Sequence, residues 1–430
     1  MNGSFVKKFV SAGAAGFFAI AGAAFAQTVA IMNGEVHTVS GGVIENGDVI
    51  IQNGRIAQVG ADLTAPAGAT VIDASGKVVT PGLFAPSSNI GLVEIGLDQE
   101  SNDSSPQSGF PLGAALDATD AYNPFSTLIG WNRAGGVTRA LMAPGNGDTL
   151  FGGQAAVIDL TGRPNSVTKP KAAQIAVLGY GGAARSGDTR MGAWAVMREY
   201  LEEARSYHAN PNDYVRRPHN GRFAVSDLKV LKPVIEGTQP LIVRINGEND
   251  LRHLIELKNA YGLRVIASGG SEAWRVARQL AAANIPVLIG GMDNLPAQFE
   301  DLSATLQNAA RLQAAGVKFS FNEGAHNIRL IRQHAGNAVA EGLDHEAGLR
   351  AITLSPAEMF GLDAQLGSLD PGKVADVVIW DGDPLEVTTA PEAVFIAGVR
   401  QSLDNRQTAL RDRYRDLDRG DLPHAYRGGE

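Results

Sequence analysis

The run "PLIVRING" at residues 240–247 is followed by "LRVIASGG" at 263–270, "IPVLIGG" at 285–291 and "VKFSFNEG" at 317–324. Each is short and mostly apolar, and each ends in polar or glycine residues. Helical patterns separate them: Leu251, Leu254, Ile255 and Leu257 recur at helical spacing in one, and Ala273, Ala277, Leu280 and Ala281 in the next. Apolar strands alternating with helices imply an α/β fold with a parallel sheet covered by helices. Residues 81–361 have the length of a (β/α)8 TIM-like barrel rather than an open sheet. Functional groups of such a barrel sit at the C-terminal ends of its strands. That rule selects Ser87, Ser88 and Asn89, then Arg244 to Asn246, Ser268 to Gly270, and Asn322 with Glu323.

The flanks have a different texture. From Val29 to Val79 the pattern is strand, turn, strand, with Asn33-Gly34 and Asn53-Gly54 as hairpin signals. Similar runs return in "GKVADVVIWDGDPLE" (372–386) and "PEAVFIAGVR" (391–400). Residues 27–80 and 362–400 are therefore expected to form one small discontinuous β-sandwich domain into which the barrel is inserted. In the charged tail, 401–430, "RQTALRDRYRD" has the makings of a surface helix. The stretch "MGAWAVMREYLEEARSYHANPNDYVRRP" (191–218) reads as a helix plus an exposed connection.

The first 26 residues carry Lys7 and Lys8, an Ala/Gly-rich apolar run and Ala24-Phe25-Ala26. Together these make a signal peptide cleaved after Ala26, with a periplasmic destination. Its removal takes two lysines and no acid, shifting the formal charge from −8 to −10. That sign argues against nucleic acid and anionic membranes as partners, and no later segment is apolar enough to span a bilayer. The chain has no cysteine, which excludes disulfides, thiol nucleophiles and Cys-ligated zinc.

Three longer motifs carry a resemblance. "GKVVTPGLFAPSSNIG" (76–91), "GVTRALMAPGNGDTLFGGQAAVIDLTG" (136–162) and "LDAQLGSLDPGKVADVVIWDGDPLE" (362–386) resemble the amidohydrolase superfamily, in its imidazolonepropionase-like branch. The resemblance spans nearly the whole chain after the leader. It implies a hydrolase fold acting on C–N bonds of cyclic amides, ureas or dipeptide-like substrates, normally with one or two divalent metals such as zinc.

Against the family pattern Pro-Gly-Leu-x-Asp-x-His-x-His, the chain has Ala85 at the Asp, and Ser87 and Asn89 at the two histidines. Arg244 stands where the next strand should end in a metal-binding His, Gly269 where another His belongs, and Glu323 at the catalytic Asp. Hydroxyl and amide groups are weak zinc ligands, and a guanidinium cannot be deprotonated to admit a cation. On this reading no metal site and no cofactor are expected. None of the eight histidines forms H-x-H, and only His326 follows a strand end.

Two functions follow. One is a non-catalytic homologue that binds a small or dipeptide-like ligand, or assembles as a homo- or hetero-oligomer with a metal-bearing amidohydrolase. The other is a metal-independent hydrolase with Glu323 as acid/base and Arg244 as oxyanion or carboxylate binder. In either, Ser87, Ser88, Asn89, Asn246, Asn322 and His326 are the candidate substrate-binding residues, and Arg244 and Glu323 are expected to pair if they face each other.

Overall fold

The structure, a computed structural model, describes residues 28–216 and 222–415. The leader and the end of the tail lie outside the described residues.

The chain opens with β1 (Val29–His37), β2 (Val43–Gln52) and β3 (Arg55–Ala61), paired antiparallel in that order. Strands β4 (Thr70–Asp73) and β5 (Val78–Pro81) then run parallel to different stretches of β1. Asn53 and Gly54 turn β2 into β3 with positive φ at both positions, 53° and 75°, as a tight two-residue hairpin requires. Asn33-Gly34 makes no hairpin. It sits inside β1, where the register slips, and the Asn33 N–H donates to Asp48 Oδ1 at 2.9 Å. A side-chain acceptor here replaces the ladder partner that the irregularity removes.

The barrel strands are β6 (Leu83–Ser88), β7 (Val137–Met142), β8 (Phe151–Asp159), β9 (Val167–Val177), β10 (Leu241–Ile245), β11 (Val265–Gly269), β12 (Val287–Ile289) and β13 (Phe319–Phe321). They form one eight-stranded sheet in sequence order, with β6 and β13 side by side but without ladder pairing. The expected α/β barrel is thus present and nearly closed. One strand departs from the ideal pattern: β8 is antiparallel to both β7 and β9. The short connections on either side of β8 leave no room for the crossover that parallel neighbours need.

Alternation along each strand divides the core. Leu241, Val243 and Ile245 face the helices, while Ile242, Ile266, Leu288, Leu141 and Phe84 fill the interior. Ala357, Met359, Phe360 and Leu366 pack against that inner cluster. Arg244 lies two residues beyond Ile242 and so shares its face. The helix Arg190–Ala209 is no peripheral insert, because Trp194, Met197, Tyr200 and Leu201 are buried in the main core.

The chain then re-enters the first sheet as β14 (Val377–Trp380), β15 (Pro391–Ile396) and β16 (Val399–Gln401), with β14 pairing β5. A helix over Arg406–Tyr414 follows, capped by Asn405 and exposed throughout apart from its partly covered Thr408 and Leu410. None of the described helices is long and apolar enough to cross a membrane.

The barrel and the sheet share a buried ion pair. Arg139 of β7 donates to Asp376 through Nε at 2.6 Å and Nη2 at 3.1 Å. Both side chains are buried. Removing the guanidinium alone strands a buried carboxylate, so Arg139→Met should cost about 3–5 kcal/mol in urea unfolding. Adding Asp376→Leu should recover much of that loss.

Candidate functional site

A cavity of about 270 Å³ opens at the C-terminal ends of the barrel strands, lined by Ser87, Asn89, Ser104, Ser105, Arg244 and Asn322, among others. It shares Ser104 and Ser105 with a wider cleft of about 1010 Å³, walled by the long connection after β6. Sequence reasoning named Ser87, Asn89, Arg244 and Asn322, and the fold brings these four together.

Among the described residues, Arg244 is the only charged group on this lining. It donates from Nη1 to Asn146 Oδ1 at 2.8 Å and from Nη2 to the Pro144 carbonyl at 3.1 Å. No carboxylate among the described residues pairs with it. Burial, and secondarily the nearby Arg185 charge, push the guanidinium's pKa downward. Arg185 in turn holds the β7–β8 loop, donating to the Gly147 and Asn146 carbonyls. Asn89 adds an acceptor, Oδ1, that is buried and without a hydrogen-bond partner. The cavity therefore presents an uncompensated cation and an unused acceptor.

The other candidates are placed elsewhere. Ser88 is a structural link: its hydroxyl donates to the Ala325 carbonyl at 2.7 Å and accepts from the Ile90 N–H at 3.0 Å. Asn246 packs against Gly269, where an added Cβ would lie 2.2 Å from Asn246 Oδ1. His326 does not line the cavity, and its backbone carbonyl accepts from Asn132. Arg244 and Glu323 do not pair. Glu323 lies 3.3 Å from His334 Nε2, while His334 Nδ1 accepts from the Gly291 N–H. His334 was missed because it sits on a helix, Ile331–Ala340, where its spacing to Glu323 carries no local signal. Asn146 and Arg185 were missed as well, although the strand-end rule applied to β7 points at the loop that contains Asn146.

The comparisons with known proteins agree on one family. Residues 271–401 match the amidohydrolase family model. A solved amidohydrolase from Thermotoga maritima superposes with a TM-score of 0.78 at 26% identity, covering 88% of this chain and all of that one. Over residues 271–401 the chain carries the amidohydrolase family's pattern, and its fold is that of a solved amidohydrolase. Amidohydrolase tasK from Hapsidospora irregularis is 24% identical over 393 residues, 83% of this chain but 40% of that relative's length. An adenosine deaminase from Xanthomonas campestris, solved with bound zinc, shares the fold at a TM-score of 0.51, 17% identity, and 90% and 97% coverage.

These findings correct the expectation that no cofactor is involved. A zinc-bound protein shares the fold, and His37, His345 and Glu346 bring ligand atoms within 4.8 Å of one another. At the barrel mouth itself the donor set does not fit a divalent cation: hydroxyls, amides and a guanidinium line the cavity, and no acid or imidazole does. Gly269 reinforces this, because its φ of +106° and the contact with Asn246 leave no room for any side chain. Gly269→Ala should accordingly lower stability by more than about 1 kcal/mol in a chemical unfolding experiment.

Asp227 anchors the wall of the cleft. Its carboxylate is buried and accepts from the N–H groups of Gly113 and Ala115. Burial raises its pKa above 3.8, and those N–H bonds only partly oppose the rise. A raised carboxyl favours the fold below its unfolded pKa, and that contribution is lost as pH rises through the folded value. Asp227→Asn should therefore flatten the loss of stability that sets in as pH rises above the ordinary carboxylate range, measured by thermal melts against pH.

Proposed function

We propose that this chain is an exported member of the imidazolonepropionase-like branch whose barrel mouth binds a small carboxylate-bearing ligand, dipeptide-like in size, instead of hydrolysing it there. The observation that carries this reading is Arg244. A guanidinium buried without a counter-anion is costly, and a ligand carboxylate would offset that cost through paired, charge-assisted hydrogen bonds. Asn89 Oδ1 would accept from the ligand's amide or ammonium group, and Ser87, Ser104, Ser105 and Asn322 would orient the rest. Exposed Leu295, Phe299 and Leu302, on the connection after β12, support assembly with a second subunit beside the mouth.

A second reading rests on the Glu323–His334 contact, an acid and an imidazole just past the end of β13. In it Glu323 moves a proton during hydrolysis while Arg244 holds the substrate carboxylate.

Calorimetric titration with a dipeptide panel, each peptide as free acid and as C-terminal amide, separates the two. Binding confined to the free acids, with no turnover, is the expected result. Arg244→Met should weaken it about 10- to 100-fold, the worth of one charge-assisted pair. Turnover that Glu323→Gln abolishes would establish the second reading, and indifference to the carboxylate would defeat both.

A further inference from the structure

The pair His37 and His345, 308 positions apart in sequence, sits outside the cavity just described. His37 ends β1, and His345 opens the helix His345–Ala351. Each imidazole is held by an outer carboxylate. His37 Nε2 lies 2.8 Å from Glu35 Oε1, and His345 Nε2 lies 2.9 Å from Asp383 Oδ2. Both rings then turn their Nδ1 atoms toward one oxygen, Glu346 Oε1, at 2.7 Å for His37 and 3.7 Å for His345.

We infer that His37 Nδ1, His345 Nδ1 and a Glu346 carboxylate oxygen form a binding site for a divalent transition-metal cation of the zinc type, where the first sheet meets the barrel helices. Three features carry this. An imidazole that donates one N–H to a carboxylate presents its other nitrogen as a lone pair, the arrangement found around metal-ligating histidines. Here two such imidazoles converge on the same carboxylate, and the Nδ1 proton in the 2.7 Å His37–Glu346 hydrogen bond would be released when a cation binds. A tetrahedral site with bonds near 2.0–2.2 Å needs ligand atoms about 3.3 Å apart, and the two observed separations bracket that value. The charge is also unbalanced: Glu35, Glu346 and Asp383 surround two imidazoles, leaving three negative charges when both rings are neutral.

Two nitrogens and one oxygen suit zinc rather than calcium or magnesium, which take oxygen sets. The ligands are accessible, because the His345 and Glu346 side chains are 34% and 44% exposed while His37 is nearly covered. Water completes the fourth position. The ion would tie β1 to the helix His345–Ala351. Its place is independent of the Arg244 cavity, so either proposal can fail alone.

The test uses the full-length mature protein, stripped with chelator and titrated with Zn²⁺ by calorimetry and with Co²⁺ by visible absorption. One equivalent of Zn²⁺ and the d–d bands of tetrahedral cobalt are expected. His345→Ala and Glu346→Gln should abolish both signals, with circular dichroism confirming that the variants fold. Asp383→Asn, which leaves the ligands in place, should weaken zinc about 10- to 100-fold, and zinc should raise the melting temperature of the wild type but not of His345→Ala. Less than about a tenth of an equivalent bound, by the metal–folding linkage that a true site requires, would overturn the assignment and leave His37 as a structural link between two carboxylates. Binding that disappears with His334→Ala but survives His345→Ala would overturn it equally.

Discussion

Asp376 is the point on which the two halves of this molecule depend. Its carboxylate accepts from Arg139 Nε and Nη2 and from the Ala397 N–H, and its carbonyl accepts from the Gly82 N–H. One residue thus joins the second barrel strand, the link from sheet to barrel and the β15–β16 turn. A buried charge pair adds little net stability over an apolar one of the same shape. What it contributes is position: an unpaired carboxylate or guanidinium here would be so unfavourable that β7 and β14 can meet in only one way. The Trp380 ring, buried beside Gly136 and bonded through Nε1 to Thr80, completes the same seam.

That seam leaves the other end of the barrel free to vary. In an amidohydrolase the mouth is where charge must be concentrated, and this chain concentrates it differently. A guanidinium held by neutral acceptors, Asn146 Oδ1 and the Pro144 carbonyl, replaces a set of metal ligands in the resemblance that the strand motifs carry. Divalent metals and guanidinium groups both attract anionic oxygen, but only the metal activates water. Under the proposed function, that exchange would retain recognition of a carboxylate and give up a means of generating a nucleophile at that point. The imidazoles proposed to serve a cation lie outside that cavity, between β1 and the helix that begins at His345.

Much of this architecture could be read from local patterns. Strands β10 to β13 fall where apolar runs end in polar residues, and the helix Glu248–Tyr261 falls where leucines recur at helical spacing. Ser87, Asn89, Arg244 and Asn322 were legible as site residues because a barrel strand delivers its last residues to one rim. The direction of β8 was less accessible, since its residues have the same apolar character in either orientation and only loop length distinguishes them. Asn33-Gly34 misled for a similar reason: a dipeptide that favours positive φ serves a bulge as well as a turn.

By itself, then, the sequence determined the α/β class, the flanking β texture, the resemblance to amidohydrolases and the four residues that meet at the barrel mouth. These are properties of periodicity and of motifs, which are local. The tertiary structure alone decided which partners those residues take: that Arg244 meets no carboxylate among the described residues, that Glu323 turns to His334, and that His37 and His345 converge on Glu346. Such pairings join positions up to 309 residues apart. No local propensity encodes them, because the electrostatic energy of a side chain depends on what the whole fold places within a few ångströms of it.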